Sequence, residues 1–162
     1  MVQYESISSD FVEVAAVAGI SIAPSEIEVE FIAAPHRRPS SLPTGKSAVY
    51  AFMLADRCLK VGKAGPKSAA RFCSQHYGSN RAPSSLARSL VKHQTAIDIS
   101  GLDETNVGDW ICQYTCRVHF FIPSKYGIFA LSLLEAFVQC RLRPQFEGFA
   151  SQCANPDFSC KT

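Results

Sequence analysis

No run in this 162-residue sequence approaches the roughly 18 consecutive apolar residues that a membrane span requires. The opening residues, Met1-Val2-Gln3-Tyr4-Glu5, lack the basic and then apolar stretch of an export signal. Both absences argue against membrane and secreted readings, and the expected setting is the cytoplasm. Basic residues are missing from positions 1–35, which hold six acidic ones. A paired cysteine framework is also missing: the seven cysteines are odd in number and unevenly spread, which fits reduced thiols better than disulfides.

What is present is a chain long enough for one sizeable core and too short for two full domains. The net charge of +2 hides a segregation: residues 36–92 carry eleven basic residues against one acidic, and residues 93–162 carry five against seven. A basic middle flanked by acidic ends directs attention to residues 36–92 for anionic partners.

Asp10 to Gly19 reads as a short helix with an aspartate cap and a terminating glycine. Glu26-Ile27-Glu28-Val29-Glu30-Phe31 alternates strictly, which predicts a half-buried strand. Residues 33–46 hold three prolines and read as a loop or arm. From Ser47 an apolar run predicts a buried strand, and Cys58-Leu59-Lys60-Val61-Gly62 its hairpin partner. A three-residue loop at 55–57 would pair Leu54 with Cys58 and Phe52 with Lys60. Tyr50 and Lys60 then share one face about 7 Å apart, with room for a phosphate between them. Helices are expected from Gly65-Pro66 to about Tyr77, near 84–93 and over 106–116, then a strand over 117–122 and a buried helix from Tyr126 to about Leu142. The fold class is α+β: a small central antiparallel sheet flanked by helices, with an N-terminal helix and strand extension. The divisions are an extension over 1–46, a core over 47–145 with an insertion at about 78–116, and a tail over 146–162.

Thr44-Gly45-Lys46-Ser47 resembles the end of a phosphate-binding P-loop, but Ser40 stands where the first glycine is needed, and a strand follows instead of a helix. Glu135 shares a helical stripe with Ile128, Leu131, Val138 and Leu142, so its carboxylate is expected to be partly buried and to need a cation, either an arginine or a metal ion. Tyr50, Lys60, Lys63 and Arg71 lie within 22 residues on strand, strand, loop and helix, a cationic pocket for phosphate, with Lys63 on an exposed loop. Cys112 and Cys116, one turn apart on the presumed helix, and Cys73 near His76 suggest zinc, but no second pair of ligands accompanies them.

These residues resemble the GIY-YIG nuclease superfamily. Ala48-Val49-Tyr50 stands for the first signature tripeptide and Lys60-Val61-Gly62 for the second, ten residues apart; Arg71 follows eleven residues later, and Glu135 lies in Leu133-Leu134-Glu135-Ala136-Phe137. The resemblance covers residues 47–145. Lys60 replaces the second signature tyrosine, as in a branch containing small restriction endonucleases. The position four after Arg71 is Gln75, with His76 and Tyr77 just beyond.

The resemblance implies hydrolysis of DNA phosphodiester bonds, in a restriction or defence role, with one divalent metal, Mg²⁺ or alternatively Mn²⁺, held by Glu135. Tyr50 would position or deprotonate the attacking water, Lys60 and Arg71 would hold the scissile phosphate, and His76 or Tyr77 would assist. Arg37, Arg38, Lys63, Lys67, Arg81, Arg88 and Lys92 would follow the backbone of double-stranded DNA. The acidic N-terminal residues are expected away from DNA, against the core or at a homodimer contact. The alternative is a non-catalytic nucleic-acid-binding module that keeps this fold.

Overall fold

The computed structural model describes residues 2–80 and 85–146. In chain order these form α1 (Val2–Val17), β1 (Glu28–Ile32), β2 (Lys46–Leu54), β3 (Arg57–Ala64), α2 (Ala69–Cys73), α3 (Leu86–His93), α4 (Val107–Tyr114), β4 (Cys116–Pro123) and α5 (Gly127–Leu142). The strands make one antiparallel sheet in the order β1-β4-β2-β3. The expected α+β class is therefore what the chain adopts, with helices on both faces of the sheet.

Alternation along the strands divides the core in two. Val49, Ala51 and Met53 of β2, Val61 of β3, and Val118, Phe120 and Ile122 of β4 face α1 and α5. Ala48, Tyr50, Phe52, Leu59, Ala64 and Phe121 face Phe72, Leu86, Leu90, Val107 and Ile111 from α2, α3 and α4. Because β2 lies inside this three-layer stack, residues 47–53 are all buried, which is why that segment is an unbroken apolar run instead of an alternating one.

The N-terminal helix is longer than the 10–19 expected. Ile7, Phe11 and Ala15 repeat every fourth residue and are buried, which carries the helix back over its polar N-terminal turns. Asp10 is inside it and pairs with Arg141 of α5 instead of capping. Gly19, at φ +77°, ends it as expected, with its N–H on the Ala16 carbonyl. The acidic N-terminal segment thus lies against the core.

The hairpin turn also differs. Leu54 pairs with Arg57 and Met53 with Cys58, leaving a two-residue turn, and a bulge beside Phe52 restores the expected Phe52–Lys60 pairing. The first helix after it starts at Ala69, not at Pro66, and a single 3-10 turn, Gln75–Tyr77, follows it. Cys116 opens β4 and shares no helix with Cys112. Of the expected tail, Gln145 and Phe146 run beside the free edge of β3, with N–H donors on the carbonyls of Cys58 and Leu59, 2.9 and 2.8 Å away.

Phe11 is fully buried and its ring centroid lies 5.9 Å from that of Phe137. Phe11→Ala should therefore cost about 3–5 kcal/mol of stability in urea unfolding, as for an aromatic deleted from a core. A cost below about 1 kcal/mol would mean that α1 is an ornament and not a layer of the fold.

Candidate active site

Tyr50 and Gly62 face each other across β2 and β3, and the hydroxyl end of the tyrosine ring lies over the glycine. A β-carbon at residue 62 would stand 2.8 Å from the Tyr50 hydroxyl oxygen, so this position admits hydrogen alone while the ring stays where it is. The requirement is close approach, since Gly62 needs no left-handed backbone.

The hydroxyl is held from both sides. His76 Nδ1 accepts the N–H of Leu86 at 3.2 Å, which leaves the ring proton on Nε2, 2.8 Å from Tyr50 Oη. Tyr50 in turn donates to the Arg71 carbonyl at 3.2 Å. Burial keeps the Tyr50 phenol protonated well above the ordinary tyrosine range, although Arg71 and Arg117 pull the other way. His76 is held well below the ordinary histidine range, first by burial and then by the charges of Lys60, Arg71 and Arg117. The pair is thus a neutral hydrogen-bonded couple in a positive field.

The second buried row was not expected from sequence. Arg117, on β4 opposite Phe52, is fully buried. Its Nε donates to His119 Nε2 at 2.8 Å, Nη1 to Tyr77 Oη at 2.8 Å and Nη2 to the Phe72 carbonyl at 3.0 Å. Its guanidinium lies 4.8 Å from the centroid of Phe52, 4.9 Å from Phe72 and 5.4 Å from Tyr50. Because His119 Nε2 receives a proton donor, its own proton sits on Nδ1 and goes to Glu30 at 2.8 Å. The imidazole here is neutral, so the contact is a hydrogen bond to a carboxylate and not an ion pair; burial, then Arg117, then His36 hold the imidazole down to about 3. Tyr77, receiving from Arg117, donates to His36 Nε2, and His36 Nδ1 donates to the Thr115 carbonyl. The Pro-rich arm is thereby fastened to the core at His36.

Other expected site residues fall as follows. Tyr77 turns to Arg117 and His36, so of the two candidates beside Arg71 it is His76 that meets Tyr50. Lys60 shares the Tyr50 face, but it is buried and donates to the Phe146 carbonyl at 3.0 Å. The Gly65 N–H is taken by Ser68 Oγ at 2.8 Å. Arg71 is exposed. Lys63 is not on a loop: it lies on β3 opposite Val49 and pairs with Glu135 at 2.6 Å. The cation at Glu135 is therefore a lysine. Glu135 comes close enough to the site for its charge to raise the Tyr50 phenol slightly. Arg37, Arg38, Lys67, Arg88 and Lys92 are exposed, Arg38 lying over the Tyr77 ring at 4.9 Å and near Asp109 at 3.8 Å. Arg81 lies outside the described residues.

As a metal centre the arrangement offers a single carboxylate. Among the described residues no three His, Cys, Asp or Glu side chains gather, so neither the Cys73–His76 nor the Cys112–Cys116 pairing builds a zinc cage. One hard oxygen ligand fits Mg²⁺ or Mn²⁺, which fill their shells with water and substrate phosphate oxygens.

Comparison with family models, curated proteins and solved structures finds no match to this chain. The geometry therefore carries the functional reading.

His36, His76 and His119 are all held neutral when folded. Once unfolded, each takes up a proton near its ordinary value of about 6.5. Below that pH the unfolded chain binds more protons than the folded one, so stability falls as pH falls. From pH 7 to 5, urea unfolding should show a loss of up to about 1.4 kcal/mol per pH unit for each such histidine. Constant stability over that interval would contradict the neutral network.

Proposed function

We propose that the protein is a divalent-metal-dependent endonuclease that hydrolyses phosphodiester bonds in double-stranded DNA. The observation that carries this reading is the Tyr50 hydroxyl, pressed over Gly62, held by His76 and the Arg71 carbonyl, and within the fields of Arg71 and Glu135. The hairpin, the Arg-bearing helix α2 and the Glu-bearing helix α5 stand in the order and spacing of GIY-YIG nucleases, which supports the same reading. A restriction or defence role is the part of the proposal that follows from that resemblance; a cytoplasmic setting, which fits the free thiols, and a homodimer are further parts of it.

Tyr50 enters the reaction protonated, so its part is to orient the attacking water and not to act as a preformed base. Arg71, exposed beside it, meets the scissile phosphate, and Lys60 joins once it leaves the Phe146 carbonyl. Fixed cations in a dry site stabilise charge that develops on the phosphoryl oxygens. Mg²⁺ bound at Glu135 would supply Lewis acidity and an acidified water. Arg37, Arg38, Lys67, Arg88 and Lys92 follow the backbone. A recess of about 440 Å³ on α4, lined by Asn106, Asp109, Trp110, Gln113 and Tyr114 among others, is where base edges would be read.

A non-catalytic binding module is favoured by one observation, the Lys63 ammonium already seated on Glu135. The two readings separate on supercoiled plasmid with Mg²⁺ or with chelator. The nuclease reading expects Mg²⁺-dependent nicking that Glu135→Gln lowers by about 100-fold or more, while metal-free DNA binding and the melting temperature persist. DNA binding without cleavage by the unaltered protein would select the binding module, and a fully active Glu135→Gln protein would remove the mechanism.

A further inference from the structure

Glu135 projects from α5, which is fixed in the core by Ala130, Leu131, Leu134 and Val138. Lys63 projects from β3 toward the same helix and is fixed at its backbone by pairing with Val49. The two meet at 2.6 Å with the lysine side chain 29% and the glutamate 18% exposed. Among the described residues Lys63 is the cation within ion-pair distance of this carboxylate. An acid that can hold a metal is thus already neutralised, by a group with particular physical properties. A lysine ammonium is a monovalent point charge on a four-carbon stem, able to swing from a fixed Cα, whereas a guanidinium would lock the carboxylate with two parallel bonds. A divalent ion brings twice the charge and displaces it.

Resting on the nuclease reading above, we propose that Lys63 is a displaceable counter-ion that couples metal to DNA. Without metal it balances the charge of Glu135. When the ion takes the carboxylate, the freed ammonium becomes an additional phosphate contact beside Glu135, on the α5 face of the sheet. Metal and DNA then favour each other's binding, and by linkage the factor is the same in both directions. The arrangement also limits the cost of leaving Glu135 half-buried in the absence of metal, since a half-buried carboxylate without a cation is unfavourable.

Lys63→Met keeps the length of the stem and removes the charge. Calorimetric titration of the DNA-free protein with Mn²⁺ should show about five-fold tighter binding in Lys63→Met, because an ion pair worth about 1 kcal/mol no longer has to break. Anisotropy of a labelled duplex over a KCl series, in Ca²⁺ to occupy Glu135 without turnover, should show the log–log salt slope smaller by about one in Lys63→Met. In chelator the two proteins should have equal slopes. Equal Mn²⁺ affinity, or a slope difference that is the same with and without Ca²⁺, overturns the role of Lys63 alone. Failure of the unaltered protein and of Lys63→Met to bind Mn²⁺ at all removes Glu135 as a metal ligand, and with it the function proposed above. Melting curves of both proteins show that a change in slope reads binding and not loss of fold.

Discussion

The fold on the α2–α4 side of the sheet is organised around one buried positive charge. Arg117 cannot shed its proton, and a guanidinium taken out of water without compensation costs several kcal/mol. Compensation comes from three hydrogen bonds to neutral acceptors and from aromatic faces around the guanidinium plane. The nearest acid along the network, Glu30, is reached only through His119. Each partner must therefore be where it is. Phe72 must offer its carbonyl, which fixes α2; Tyr77 must offer its oxygen, which fixes the 3-10 turn; His119 must stay neutral to accept.

Those requirements place the candidate site. With the Phe72 carbonyl held by Arg117 and the Arg71 carbonyl held by Tyr50, the main chain of α2 is gripped at two successive residues. A helix of five residues has little stability of its own, so these contacts determine where Arg71 stands. The same charge helps keep His76 neutral, and the Leu86 N–H on Nδ1 sets the direction of the hydrogen bond into Tyr50. Structure and candidate chemistry thus share a cause: a cation-rich interior that is costly to build and that suits anionic phosphate.

Much of this was legible in the sequence. The alternation of residues 26–31 located β1, the apolar run at 48–54 located β2 and the apolar length of 126–142 located α5, although Phe31 and Ile128, expected on buried faces, are exposed and α5 is buried through Ala130, Leu131, Leu134 and Val138. Tyr50 and Arg71 were recognisable from spacing, which left His76 and Tyr77 as alternatives; Tyr50 meets the His76 ring and the Arg71 carbonyl. Arg117 and His119 were not recognised. They alternate with Val118, Phe120 and Ile122, which reads as a strand with a wet face, and only the central place of β4 between β1 and β2, covered by helices on both sides, turns that face inward. Strand order is a long-range property that local periodicity does not contain. The Lys63–Glu135 pair was missed because β3 was expected to end at Gly62, which left Lys63 on a loop, whereas the strand runs on to Ala64. The Phe146 carbonyl reached Lys60 from 86 residues away.

The buried network around Arg117 is neutral except for Arg117 itself, with every proton placed by geometry. Long-range ¹⁵N–¹H correlation spectra of histidine-labelled protein at pH 7 read this directly, since each imidazole reports its charge and tautomer. The expected result is three neutral rings, His76 protonated at Nε2, and His36 and His119 protonated at Nδ1. An imidazolium at His119, or a His76 proton on Nδ1, would contradict it.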